Sequence, residues 1–160
     1  MRLVIEFMRN IKSLIFELTV APVLQSKQPY MTIDKHIKPV VDALNSIDGV
    51  ETIASCHGHL VGHIDSPYVY FKAPVEVATF LHSQIWNTTK FSKIYWEITG
   101  RYNSECELCF SLRSPTLEYA YHYSFLRLWL YGYHRRKIEQ SLSELARVIQ
   151  TVTHNNNLAK

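Results

Sequence analysis

Lys93-Ile94-Tyr95-Trp96-Glu97-Ile98-Thr99-Gly100-Arg101 and Cys106-Glu107-Leu108-Cys109-Phe110-Ser111-Leu112-Arg113 decide the fold class. In the first run Ile94, Trp96 and Ile98 alternate with Tyr95, Glu97, Thr99 and Arg101. In the second, Cys106, Leu108, Phe110 and Leu112 alternate with Glu107, Cys109, Ser111 and Arg113. A strand turns successive side chains to opposite faces, so each run reads as a strand with one apolar face. Only Tyr102 to Glu105 links them, which predicts an antiparallel hairpin.

Downstream, Pro115 ends the second strand. Leu117, Tyr119, Tyr121, Tyr123 and Phe125 alternate like a strand, while Phe125, Leu128 and Trp129 suit a helix, and the second half of 117–133 reads as helical. Ile138, Leu142, Leu145, Ile149 and Val152 step by four and three, which makes a C-terminal amphipathic helix with Arg147 and Gln150 on its polar back. Upstream, Tyr68–Lys72 and Val50–Ser55 read as strands, and Pro74 starts a helix through Val77, Leu81 and Ile85. Thr32 or Asp34 caps a helix running to about residue 48, with Ile33, Ile37, Val40, Val41 and Leu44 on its apolar face. Pro39 predicts either a kink there or a helix start close to it, and Gly49 is the stop. Leu14, Phe16, Leu18 and Val20 alternate with polar Glu17 and Thr19, so residues 13–20 read as a further strand, limited by Pro22.

Helices and hairpin strands without regular βαβ alternation make an α+β fold, mainly an antiparallel sheet with helices packed on it. The 160 residues fit one domain, read as 1–153 with a polar tail over 154–160. An apolar fraction of 47% against 19% charged residues is globular, not disordered. No run of 18 apolar residues exists, so no membrane span is expected. Three cysteines cannot all pair within one chain, which points to a reducing compartment, with the cytoplasm as the expectation. Glu6, Arg9, Lys12 and Glu17 interrupt any signal-peptide core, and Met8 is an alternative start.

The net charge of +3 is unevenly spread. Residues 1–126 carry 11 basic and 12 acidic side chains, whereas 127–160 carry 6 and 2. Part of the excess is His134-Arg135-Arg136-Lys137, a run that is either a solvated helix start or a nucleic-acid contact through Arg135, Arg136 and Lys137.

The densest chemistry is Ser55-Cys56-His57-Gly58-His59, followed by His63 and Asp65. Residues 57–63 hold three of the eight histidines and lie between two expected strands, where a scaffold presents functional loops. Three chemistries fit. Cys56, His57, His59 and His63 offer zinc its preferred thiolate and imidazole donors. Cys56 would be a nucleophile with His57 or His59 lowering its pKa or acting as its base, His59 being favoured since adjacent residues diverge in direction. The third is anion binding, in which Gly58 and its neighbours, among them Ser55 and His57, offer backbone N–H groups to the phosphate or carboxylate of a small molecule or nucleotide, with protonated His59 adding charge and Gly58 allowing a positive φ or close approach. The plain alternative is a buried cysteine, a turn glycine and polar loop histidines. Cys106 and Cys109 do not complete a zinc site if both lie in a strand, because residues three apart face opposite sides. The aromatic stretch Tyr119 to Tyr133 is either core with an amphipathic rim or the surface of a protein-interaction module such as a phage-type inhibitor.

Thr52-Ile53-Ala54-Ser55-Cys56-His57-Gly58-His59, following a predicted helix that ends Leu44-Asn45-Ser46-Ile47-Asp48-Gly49, resembles a T-x-x-S-C-x-G-H signature of small uncharacterised bacterial and phage proteins. It is also similar to the S-S-C-S-G-R segment of the wybutosine-synthesising methyltransferase family, which modifies tRNA using S-adenosylmethionine. That likeness covers Ser55, Cys56 and Gly58 and the helix–strand–loop order, within about 30 residues. His59 stands where the family has Arg, and Ala54 and His57 replace its serines. The resemblance implies an α+β domain with this loop lining its site and S-adenosylmethionine as a candidate cofactor. It does not carry methyl transfer over.

The leading expectation is a ligand-binding or catalytic loop at Ser55–His59, with Cys56 and His59 as the acting pair and a nucleotide-related ligand favoured. A zinc-binding domain built on Cys56 and the nearby histidines is the runner-up, and an interaction module the third.

Overall fold

The computed structural model describes residues 2–19, 33–58, 65–123 and 133–157. In chain order these hold α1 (Arg2–Thr19), α2 (Lys38–Asn45), β1 (Glu51–Cys56), β2 (Tyr68–Lys72), α3 (Val75–Thr89), β3 (Glu97–Tyr102), β4 (Leu108–Arg113), α4 (Pro115–Tyr123) and α5 (Arg135–Asn157). The strands form one antiparallel sheet in the order β1-β2-β4-β3. The fold is α+β, as the hairpin alternation predicts.

Register explains which face is the core. Val69 pairs with Leu112, which pairs with Ile98, and Phe71 pairs with Phe110, so one face of three strands is a continuous apolar surface. Helix α5 packs against α2 and α3, while α2 lies against β1 and α3 against β3. The predicted stripe of α5 is buried throughout, from Ile138 to Val152. Each fully buried Leu, Ile or Phe contributes roughly 1.5–3 kcal/mol from removal of apolar surface from water. Trp96 is fully buried, and its indole N–H donates to Ser141 Oγ at 2.8 Å, tying the sheet to α5. Cys109 and Ser111, read as the polar side of β4, are buried too.

Several boundaries differ from the sequence reading, each for a local reason. Residues 13–19 belong to α1, not to a strand. The short alternation Leu14-Phe16-Leu18 is overridden by a longer helical period, Ile11-Leu14-Ile15-Leu18, with no Gly or Pro between Arg2 and Thr19 to break it. Helix α2 begins at Lys38, so Pro39 sits in its first turn, where the missing N–H costs nothing. Asp34 does not cap this helix: the N-cap is Ile37, with no side-chain cap bond, and the Asp34 carbonyl accepts the Ile37 and Lys38 N–H groups one turn earlier, while Thr32 lies outside the described residues. Gly49 adopts φ +76° beyond the helix end, as a stop glycine should.

The hairpin turn runs over Asn103–Glu107, later than expected. Asn103 Oδ1 accepts the Glu105 and Glu107 N–H groups, and Cys106 takes φ +59° there, so Cys106 is an exposed turn residue rather than a strand residue. Pro115 does end β4, but it also opens α4, with the Ser114 hydroxyl accepting the Leu117 N–H at 3.4 Å. That settles 117–123 as helix; the part of the aromatic stretch over 124–132 lies outside the described residues. Helix α5 continues through His154 to Asn157, past the expected start of the polar tail.

Candidate functional site

β1 is an edge strand, and its pairing with β2 shifts register between Thr52 and Ala54. Such a bulge re-aims the residues after it. Beyond the shift Ser55 pairs with Val69 and Cys56 with Tyr68, which fixes the end of the strand. The start of β1 is held by Asn45, whose side chain donates to Thr52 Oγ1 at 2.9 Å and accepts the Thr52 N–H at 3.0 Å.

The chain then turns at His57 and Gly58, both buried. Gly58 has φ +86°, and a Cβ there would lie 2.9 Å from Pro67 Cδ and 3.0 Å from the Asp65 carbonyl oxygen. Glycine is therefore required twice, by conformation and by space. The Gly58 N–H donates to Cys56 Sγ at 3.3 Å.

Two distant elements close on this turn. His57 Nδ1 is 2.5 Å from Asp34 Oδ2, and Asp34 Oδ1 accepts the His36 N–H at 3.2 Å. Arg135, 6% exposed at the start of α5, donates through one Nη1 to the carbonyl oxygens of His57 (3.1 Å) and Gly58 (3.0 Å). Its Nε donates to Glu139 Oε1 at 3.3 Å, and Glu139 lies 3.5 Å from His36 Nδ1. The His36 and His57 rings stack with centroids 6.0 Å apart. Asp34, His36, His57, Arg135 and Glu139 thus form a closed network around the turn.

Of the sequence-predicted site residues, Ser55, Cys56, His57 and Gly58 are together, whereas His59 and His63 lie outside the described residues. Arg135 is not an outward phosphate contact: it faces the turn, and only Arg136 and Lys137 of the basic run are exposed. Asp34, His36 and Glu139 were not singled out for this site. They stand 23, 21 and 82 residues from His57, and no spacing rule links such positions. Among the described residues no three His, Cys, Asp or Glu side chains gather in a metal-binding arrangement. Among them too, no helix is long and apolar enough to cross a membrane.

The electrostatics separate the roles. Burial pushes the Cys56 thiol up, and the Asp65 and Asp34 carboxylates push it the same way, against the Gly58 N–H and the Arg135 guanidinium. A raised thiol carries less thiolate at neutral pH, and the thiolate is the nucleophile. Cys56 is therefore expected to react with iodoacetamide more slowly than exposed Cys106 at pH 7.5. Its rate should still be climbing above the ordinary thiol range of about 8.5. Mass spectrometry of peptides over a pH series reads both rates; a Cys56 plateau at neutral pH would contradict this. His57 differs: the Asp34 carboxylate on Nδ1 fixes the ring's orientation and favours the tautomer with its proton on Nδ1.

No protein-family model, curated protein or solved structure matches this chain.

Proposed function

We propose that this chain binds a small, nucleotide-related ligand at the turn after β1, with His57 as its proton-exchanging group. The observation that carries the reading is the pairing of buried His57 with Asp34 on a turn that Arg135 clamps from α5. A buried imidazole held by a carboxylate, in a network closed by a buried arginine, supports a ligand site over a plain connection. Cys56 takes part as a neutral thiol contact. The sequence resemblance around Ser55, Cys56 and Gly58 favours nucleotide chemistry for the ligand.

The test uses phosphate-free probes, adenosine and S-adenosylmethionine, titrated onto the 15N-labelled chain. The His57 imidazole and the Ser55–Gly58 amides are expected to move, with His82 on α3 as a still reference. Shifts at His82 alone, or none at the turn with either probe, would count against this ligand class.

A further inference from the structure

A second site lies where α1 meets the start of α5. Ile5, Glu6 and Arg9 on α1 face Arg136, Lys137 and Gln140 on α5, with His134 between them, around a cavity of about 300 Å3. Each helix contributes residues at i, i+1 and i+4, which lie on one helical face. Arg9, Arg136 and Lys137 against Glu6 give the lining a net charge of +2. The first turn of α5 adds the positive end of its dipole. Burial holds His134 below the ordinary imidazole range, aided by Lys137 and Lys93 and opposed by Glu6. The neutral ring is thereby favoured.

We propose that this cleft binds a phosphomonoester of mononucleotide size. A phosphomonoester carries about −1.5 to −2 charges at pH 7, which matches the lining, and Arg guanidinium groups match its oxygens in geometry. The volume stands at the small end of ligand pockets, roughly 300–1,000 Å3, and Ile5, Gln140 and neutral His134 suit an organic body rather than a bare ion. The basic run thus divides its work: Arg135 holds the turn, while Arg136 and Lys137 line the cleft. The inference does not rest on the reading of the turn, and no residue is shared.

The experiment titrates AMP, adenosine, inorganic phosphate and a 12-nucleotide single strand onto the labelled full chain at low salt. AMP should move the amides of Ile5, Glu6, Arg9, His134, Arg136, Lys137 and Gln140 with the saturation of a single site, and adenosine should not move these. Tighter binding of AMP than of phosphate supports the nucleotide-sized ligand; equal binding overturns that part and leaves an anion site. Arg9→Gln and Lys137→Gln should each weaken AMP at least about fivefold, as expected for losing a charge-assisted contact. Arg147→Gln, exposed on α5, should not. AMP shifts confined to Cys56–Gly58, indifference to Arg9→Gln and Lys137→Gln, no AMP binding at millimolar concentration, or binding of the single strand alone would each overturn the proposal.

Discussion

Replacing Arg135 with alanine is expected to cost about 3 kcal/mol of unfolding free energy, since buried groups lose their charged donor. The carbonyls of His57 and Gly58 lose a shared partner, and Glu139 loses the cation beside it. In a chain of this size each kcal/mol lowers the melting temperature by about 2–4 °C, so the drop should be roughly 6–12 °C. Arg136→Ala, at the next position but exposed, should stay within about 0.5 kcal/mol of wild type. Arg135→Lys should recover part of the loss, because an ammonium still donates but not with a planar fork. Thermal unfolding of the three variants decides it. Equal melting temperatures for Arg135→Ala and Arg136→Ala would mean that the clamp on the turn carries no weight.

Gly58→Ala should cost about as much by a different route. A left-handed backbone costs an alanine about 1–2 kcal/mol. The added methyl also meets Pro67 and the Asp65 carbonyl at 2.9 and 3.0 Å, and overpacking costs about 1–3 kcal/mol more. The total is about 3 kcal/mol, and relief would require the segment around Pro67 to move. Chemical denaturation measures it, with Gly100→Ala as the comparison. At Gly100 a Cβ would lie 3.4 Å or more from its nearest neighbour, and no positive φ is required. A Gly58→Ala protein as stable as Gly100→Ala would show that the turn relaxes freely.

The sheet and the last helix were legible because their signals are long and agree with each other. The stripe Ile138 to Val152 repeats over several periods and is buried throughout, and the β3–β4 alternation marked the strands although burial in β4 extends to Cys109 and Ser111. Residues 13–19 misled because the run Leu14, Phe16, Leu18 and Val20 is too short to separate a period of 2 from one of 3.6. The hairpin turn was misplaced because Asn103, not a glycine, organises it, through side-chain hydrogen bonds to the Glu105 and Glu107 amides.

The site was half legible. Cys56, His57 and Gly58 are contiguous, so their density stood out. Asp34 read as a helix cap and Arg135 as part of a solvated basic run, since sequence gives the residue type but not which way it faces. The fold brings Arg135 to the turn at Gly58, 77 residues upstream of it, as α5 packs its apolar stripe against α2 and α3.

The most direct measurement is the tautomer of His57, by long-range 1H–15N correlation on wild type near pH 7.5, without ligand and with adenosine. The Asp34 contact predicts a proton on Nδ1 in both samples, with the Nε2 resonance moving when adenosine is added. A bare Nδ1 with the proton on Nε2 would contradict the Asp34–His57 pairing, and with it the site.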